Sequence, residues 1–301
     1  MALFLLYYLI SSIGFHKTYL VFAGADIVFL AAALILMPLN ITFQFLKWKQ
    51  FATNCLGEQN NKVIFYSLIS GMASGAVTPG RIGELSGRFL VMSDKNVLDV
   101  TAATLIDKMI SFFVIVVVGF YAMLAFLGKV YMIPVFLLSA LAVLFFSVNI
   151  FLFLMIFSDI FWKEWLRTFL KSNKITAPVY DRLQTVRLLN KKILLKNLFY
   201  SLLNYAVFIS QFALLVAAFS QQVNFFSYWF AGSLMFFTKS LIPGISPGEL
   251  GVREATSIYY LSYFSVADAA AFNASLSIYL INILLPSLLS FFVLFKKTGN
   301  A

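Results

Sequence analysis

Long uncharged segments alternate with clusters of basic residues along the chain. Residues 27–46, 109–128, 130–158 and 269–295 contain no charged side chain, and residues 197–238 form a longer uncharged run. An α-helix needs about 20 apolar residues to cross the hydrocarbon core of a membrane. The pattern therefore predicts an all-α, polytopic membrane protein.

The hydrophobic segments predict ten helices within a single integral membrane domain, residues 1–301. Two stretches, about 63–93 and 224–264, are interrupted by Pro and Gly, so each contains either two full spans or one re-entrant hairpin. The predicted helices are 1–15, 25–46, 63–77, 79–93, 97–127, 130–157, 197–219, 224–242, 247–264 and 269–295.

Basic residues orient these segments in the membrane. The chain carries 22 Lys and Arg against 12 Asp and Glu, and basic residues concentrate in cytoplasmic loops. If both interrupted stretches are re-entrant, 17 of the 22 basic residues fall on one side, which is then the cytoplasm. This arrangement predicts six full spans, two hairpins inserted from opposite faces, and cytoplasmic N- and C-termini.

The composition bears on the partners of the protein. Only 11% of the residues are charged and 61% are hydrophobic, whereas soluble domains contain about 25% charged residues. We interpret the net charge of +10 as a topology signal and an attraction to anionic lipids, not as nucleic-acid binding. The basic segment 158–196 is either an amphipathic helix on the cytoplasmic leaflet or an ordinary charged loop.

The two interruptions carry nearly the same motif, TPGRIG at 78–83 and SPGELG at 246–251. In each motif a hydroxyl residue suits a helix N-cap and the following proline suits the first helical position. The glycines allow close backbone approach. The pattern predicts two half-helices in an inverted repeat, with a shared site near the midplane. The motif residues are Thr78, Pro79, Gly80, Gly83, Ser246, Pro247, Gly248 and Gly251.

Charged residues accompany both motifs. Charges in the hydrocarbon core cost at least about 2.5–3.5 kcal/mol each, so they must face one another or a polar cavity. Helix N-termini add free N–H donors that attract anions. Two alternatives stay open: internal ion pairs that only hold the hairpins together, or an anion-attracting cavity between them. The candidate substrate-binding residues are Arg81, Glu84, Arg88, Glu249, Arg253 and Glu254, together with the hydroxyl residues Thr78 and Ser246.

Three further charged residues border the motifs. Asp107 and Lys108 precede an uncharged run, and they either join the charged network or mark the water boundary. Lys239 lies on the segment that leads into the second motif. Its ammonium group either faces the cavity or snorkels outward to the membrane surface.

These motifs resemble the lysylphosphatidylglycerol synthase transmembrane-region family, a flippase-like domain. The resemblance covers essentially the whole chain and is carried by TPGRIGE with Arg88, by PGISPGELGVREA near the C-terminal end, and by FLKWKQF at 45–51. Two departures, Glu249 in place of a usual Gly and Ser111 in place of a usual acid, concern the lipid more than the fold. The matching residues are Pro79, Gly80, Gly83, Glu84, Pro247, Gly251, Arg253 and Glu254.

The resemblance implies a lipid flippase or transporter of the bacterial inner membrane. It would move a phospholipid or aminolipid head group between leaflets through a polar cavity between the hairpins. The arginines at 81, 88 and 253 would contact phosphate, and the glutamates would hold them or an amino group. Relatives that aminoacylate lipids carry a separate soluble domain, so we expect no such synthesis by this chain.

Two other classes of function stay open. One is a membrane enzyme that modifies lipid head groups through Glu84 and Glu249, and the other is a scaffold for a lipid-modifying partner enzyme. The single His16 and single Cys55 provide neither a metal-ligand cluster nor a nucleophile–His–acid set. We therefore expect no enzymatic activity, no cofactor and no metal. Membrane lipids are the expected partners, and a homo-oligomer is left open.

Overall fold

The structure is a computed structural model that describes residues 2–156, 191–242, 250–288 and 290. The described residues form eleven α-helices, which confirms the predicted all-α fold. The last helix continues through a π-helical turn, Leu280–Leu284. The helices are α1 (Ala2–Ile13), α2 (Phe15–Ala23), α3 (Ile27–Cys55), α4 (Asn61–Ala76), α5 (Gly83–Val91), α6 (Val97–Val130), α7 (Val135–Ile156), α8 (Lys191–Ser220), α9 (Phe225–Leu241), α10 (Val252–Ser262) and α11 (Asp268–Tyr279).

Among the described residues, four helices are long and apolar enough to cross a membrane by length and composition. They are α3, α6, α8 and α11 with its extension to Leu288, and each matches a predicted span. The predicted span 130–157 corresponds to α7, whose 22 residues include no charged side chain. The predicted total of six spans stays a prediction.

The N-terminal region differs from the single span predicted over residues 1–15. Gly14 has a φ of 96°, a backbone conformation that glycine adopts without steric cost, and it separates α1 from α2. The 12 residues of α1 rise about 18 Å, less than the roughly 30 Å core of a bilayer. Residues 16–23, predicted as loop, are helical.

α8 packs antiparallel along α3, and buried amide side chains fix the register between them. Asn197 donates from Nδ2 to the carbonyl oxygen of Lys47 at 3.0 Å, and Gln211 donates from Nε2 to that of Ala33 at 2.7 Å. Interhelical hydrogen bonds of this kind contribute about 0.6 kcal/mol each in membrane proteins. These hydrogen bonds fix the antiparallel alignment, so the C-terminal end of α3 lies beside the N-terminal end of α8. We call this helix pair the α3–α8 frame.

Two helix pairs, α4–α5 and α9–α10, extend into this frame from opposite ends. α4 and α5 connect to the C-terminal end of α3 and the N-terminal end of α6, whereas α9 and α10 connect to the C-terminal end of α8 and the N-terminal end of α11. The inner ends of the pairs meet at one apolar cluster. Ala76 packs there with Tyr279 and Ile283, and Leu250 packs against them.

Glycines let α5 lie directly against α4. A Cβ at Gly87 would lie 2.4 Å from the carbonyl oxygen of Ser70, and a Cβ at Gly75 would lie 2.5 Å from Cγ of Glu84. No larger residue fits at either position without displacing backbone or a charged side chain. The small residues thus bring the backbones together and leave room for Glu84 between the helices.

The first half-helix begins at Gly83, four residues later than the predicted start at Pro79, so that prediction is wrong. Gly80 and Arg81 have φ values of 58° and 57°, and two left-handed residues in succession form a turn, not a helix. The hydroxyl of Thr78 accepts a hydrogen bond from the N–H of Gly83 at 2.8 Å. Thr78 therefore caps α5 across the turn.

The second half-helix begins at Val252, not at the predicted residue 247. Gly251 has a φ of 96°, and its N–H donates to Oε2 of Glu254 at 2.6 Å, which caps the first turn of α10. Four predicted motif residues lie outside the described residues, as does residue range 157–190 of the basic segment. Those four are Ser246, Pro247, Gly248 and Glu249.

The close contact between α4 and α5 makes a prediction about stability. We expect Gly87→Val to lower the free energy of unfolding by about 1–3 kcal/mol, because the added side chain overpacks the contact with Ser70. The measurement is the melting temperature of the purified protein in detergent. Leu90→Val on the same helix is the control, since Leu90 is 70% exposed. Equal melting temperatures for the two variants would contradict the packing described.

Candidate functional site

Six charged side chains gather where α3, α5 and α6 meet, and we call them the cationic cluster. α3 supplies one cation, the turn before α5 supplies a second, α5 supplies a carboxylate and an arginine, and α6 supplies the last two. Asp107 lies about 15 Å along α6 from the start of that helix. The cluster is therefore located away from the N-terminal end of α6. The members are Lys47, Arg81, Glu84, Arg88, Asp107 and Lys108.

Glu84 is the carboxylate that the first hairpin contributes, and it is only 2% exposed. Its Oε1 lies 2.5 Å from Nη2 of Arg81, and its Oε2 forms an ion pair with Lys108. Nη2 of Arg88 lies 3.9 Å from Oε2. One carboxylate is therefore shared among three cations.

Asp107 is the second carboxylate, and it joins α6 to both α3 and α5. Its Oδ2 accepts a hydrogen bond from Nη2 of Arg88 at 3.2 Å, and its Oδ1 lies 3.5 Å from Nζ of Lys47. Lys47 also donates to Oγ of Ser111, one turn further along α6. The ion pairs of Asp107 thus hold three helices together.

Arg88 occupies the centre of the cluster with its charge only partly compensated. Its guanidinium carbon lies 4.1 Å from the ring centroid of Trp48, a cation–π contact, and Trp48 is fixed by a hydrogen bond from Nε1 to Oγ of Ser67 at 2.8 Å. Nη2 of Arg88 forms ion pairs with both carboxylates, whereas its Nε and Nη1 are buried and have no hydrogen-bond partner among the described residues. Nε of Arg81 is in the same condition.

The charges of the cluster do not balance. Among the described residues, four cations and two carboxylates leave the cluster with a surplus of two positive charges, and burying uncompensated charge costs several kcal/mol. The side chains of Arg81 and Lys108 are 25% and 42% exposed, so the cluster is accessible from that side. An electropositive, partly open group of N–H donors is an environment that favours an anion.

The second motif forms a different, closed arrangement. Arg253 donates from Nη2 to Oε1 of Glu254 at 2.6 Å and from Nε to Oγ of Ser275 at 3.2 Å. Its guanidinium carbon lies 5.1 Å from the ring centroid of Tyr279. Arg253 and Glu254 are 2% and 0% exposed, so this charge-neutral pair ties α10 to α11 with little access from outside.

The structure brings some of the sequence-predicted residues together and separates others. Arg81, Glu84, Arg88, Asp107 and Lys108 form one cluster, which includes the two α6 residues whose role the sequence left open. Arg253 and Glu254 form the separate pair, and Lys239 lies half-buried in the last turn of α9. Thr78, Pro79 and Gly80 belong to the turn that leads into α5, and Gly83 is the first residue of that helix.

Sequence reasoning missed three residues of this site, Lys47, Trp48 and Ser111. Lys47 and Trp48 belong to the basic and aromatic end of α3, which carries part of the resemblance, but the sequence alone does not show that this end lies against α5 and α6. Ser111 was noted only as a departure from an acid. The sequence signal for all three is the FLKWKQF motif at 45–51 taken together with the charged residues near the start of α6.

A cavity of about 360 Å³ lies far from the cluster. It is lined by uncharged residues at the other end of the α3–α8 pair, among them Gly24, Ser220, Gln221 and Ser265. The helical rise from Ile27 to Lys47 puts the cavity and the cluster about 30 Å apart. In the described parts of the chain no three His, Cys, Asp or Glu residues are placed to hold a metal ion.

Removal of a cluster carboxylate tests the charge balance. We expect Asp107→Ala to destabilise the protein by about 3–5 kcal/mol, because Lys47 and Arg88 lose their shared counter-charge inside the protein. Asp94→Ala is the control, because Asp94 pairs with Lys95 at 3.0 Å while 64% exposed. The melting temperature in detergent should fall for the first variant and stay near wild type for the second. Equal, small effects would show that the cluster is solvated.

Comparison with known proteins identifies a family for nearly the whole chain. No curated protein matches this sequence. A family of membrane proteins does match, over residues 1–290, and it points to a multi-pass integral membrane protein in lipid modification or flipping. The chain belongs to the family described as the lysylphosphatidylglycerol synthase TM region.

Proposed function

We propose that the protein is a flippase that moves a phosphate-bearing lipid head group between the two leaflets of the membrane. The observation that carries this proposal is the positive surplus of the cationic cluster, together with the buried N–H groups of Arg88 that find no acceptor in the described part of the chain. A phosphate group supplies both the negative charge and the acceptor oxygens that this environment requires.

In this proposal α4–α5 and α9–α10 are re-entrant hairpins. Their longest helices, α4 with 16 residues and α9 with 17, rise only about 25 Å, which is less than the roughly 30 Å hydrocarbon core. The pairs extend from opposite ends of the α3–α8 frame, and their tips approach the same apolar cluster around Tyr279. Opposed hairpins of this kind are typical of transporters with inverted repeats.

The side chains of the cluster have distinct roles in this scheme. Arg81 and Lys108 are the more exposed cations, so they meet the head group first, and the deeper Arg88 completes its coordination. Glu84 and Asp107 hold the cations in position. Arg253 and Glu254 support the second hairpin instead of contacting lipid in the state described. We place the end of the molecule nearer the cluster at the cytoplasm, where the basic loops predict it.

Reconstitution into vesicles tests the function directly. The purified protein is placed in liposomes that contain traces of phosphatidylglycerol, phosphatidylethanolamine or phosphatidic acid with a fluorophore on one acyl chain. Quenching from outside measures leaflet exposure, and chromatography of extracted lipid detects head-group chemistry. Movement without modification supports the proposal. A modified head group would indicate an enzyme, and neither movement nor modification would favour a scaffold.

The exposed arginine of the cluster is the most informative site for substitution. We expect Arg81→Ala to reduce the transport rate about tenfold or more, the factor that corresponds to one charge-assisted hydrogen bond, and to leave the protein folded. Lys62→Ala is the control, since Lys62 is an exposed cation at the start of α4 outside the cluster contacts. Equal transport rates in the two variants would remove Arg81 from the site.

Substitution of Arg253 in the second motif should affect the stability of the protein, whereas substitution of Arg81 should affect transport. We expect Arg253→Ala to lower the yield and melting temperature of the protein by leaving the carboxylate of Glu254 buried without its cation, a loss of about 3–5 kcal/mol. Transport per folded molecule is the quantity to compare with Arg81→Ala. A stable Arg253→Ala protein that fails to transport would instead place Arg253 in contact with the lipid.

A further inference from the structure

We infer that the cationic cluster selects a lipid whose head group ends in a phosphate monoester, in preference to a phosphodiester or an aminoacylated lipid. This inference rests on the proposed function and names the substrate class of the same site. It depends on the number of charges in the cluster and on the N–H groups that the protein leaves without acceptors.

The charge of a phosphate monoester matches the surplus of the cluster. The direct ion-pair contacts join four cations to two carboxylates, which leaves two positive charges. A phosphate monoester carries about −1.5 to −2 at neutral pH, whereas a phosphodiester carries about −1. A diester thus leaves one cation uncompensated at a depth where uncompensated charge is strongly unfavourable.

The hydrogen-bonding capacity of the cluster also fits a monoester. Nε and Nη1 of Arg88 and Nε of Arg81 are buried, and no described residue provides an acceptor for them. A terminal phosphate presents three strong acceptor oxygens, whereas a bridging phosphodiester uses one more of its oxygens in an ester bond. The partly exposed ammonium group of Lys108 is a fourth donor on the open side.

The carboxylates of the cluster are not available to an amine. Glu84 already contacts three cations, and Asp107 already contacts two. Oε1 of Glu84 and Oδ1 of Asp107 accept no hydrogen bond from a described residue, but both oxygens are buried, and they lie 2.5 Å from Nη2 of Arg81 and 3.5 Å from Nζ of Lys47. The ammonium group of an aminoacylated phosphatidylglycerol would therefore meet an electropositive surface without an uncommitted carboxylate among the members of the cluster. Charge repulsion disfavours that lipid.

Ser111 offers a way to change the charge of the cluster without removing any member of it. Its Oγ accepts a hydrogen bond from Nζ of Lys47, so Ser111→Asp places a carboxylate beside that cation and reduces the surplus from two charges to one. Ser111→Asn is the matched control. The Asn side chain has nearly the same shape as that of Asp, and its amide oxygen can accept a hydrogen bond from Lys47 without adding charge.

The experiment measures binding to the folded, full-length protein in detergent by competition with a fluorescent lipid. The probes are dioleoyl phosphatidic acid, dioleoyl phosphatidylglycerol, its lysyl ester and inorganic phosphate. We expect phosphatidic acid to bind about tenfold more tightly than phosphatidylglycerol, the factor expected for one additional charge-assisted hydrogen bond. Ser111→Asp should bring that ratio to about one, and Ser111→Asn should preserve it. If Ser111→Asp does not fold, Lys108→Gln removes one charge and should change the ratio in the same direction.

Inorganic phosphate separates two sources of the same chemistry. Competition by millimolar phosphate would show that the phosphate group alone is recognised, while tight binding of phosphatidic acid without such competition would show that the lipid tails are also required. Both results support a monoester site. Equal or tighter binding of phosphatidylglycerol or its lysyl ester, with vesicle transport of that lipid, would overturn this inference and leave the proposed function intact. A folded protein that binds and moves none of the lipids would overturn both.

Discussion

The cationic cluster is the constraint on which this structure depends, because four cations inside the protein share only two carboxylates. Arg88 is placed between Glu84 and Asp107, and Lys47 completes the coordination of Asp107. These contacts join α3, α5 and α6, so the same interactions that compensate charge also position the first hairpin. Within the described residues these contacts leave a surplus of two positive charges, and three buried nitrogens of Arg81 and Arg88 donate no hydrogen bond. A site of this kind is stable only if an anion or water satisfies it.

The two motifs have similar sequences but different physical roles. In the first, the left-handed turn at Gly80 and Arg81 places an arginine at the accessible side of the cluster. In the second, Arg253 and Glu254 neutralise each other, and the guanidinium group of Arg253 lies over the ring of Tyr279. Tyr279 also packs with Ala76 at the tip of α4. The α4–α5 pair therefore carries the anion-attracting groups. The α9–α10 pair is instead stabilised by a buried ion pair close to the apolar cluster that contains Ala76 and Tyr279.

Much of the fold could be predicted from the sequence because it depends on local composition. Uncharged runs of sufficient length predict helices such as α6 and α8, and the Pro–Gly interruptions predict where helices break. The starts of α5 and α10 could not be predicted, since they depend on positive φ values at Gly80, Arg81 and Gly251 that a motif does not reveal.

The site was predictable only in part, for a related physical reason. Glu84 and its two arginines lie within eight residues of one another, so helical spacing brings them together. Lys47 and Ser111 are 64 residues apart, and only the packing of α3 against α6 makes them neighbours. The pairing of Arg253 with the adjacent Glu254 was also not expected, since neighbouring residues on a helix do not share a face.

The most direct test is an experimental map of the protein in a lipid nanodisc, at a resolution that shows side chains around Arg88. The account predicts phosphate-like density within hydrogen-bond distance of Nε or Nη1 of Arg88, on the side where Arg81 and Lys108 are exposed. A map in which protein groups occupy those donors and leave no room for a phosphate would contradict it.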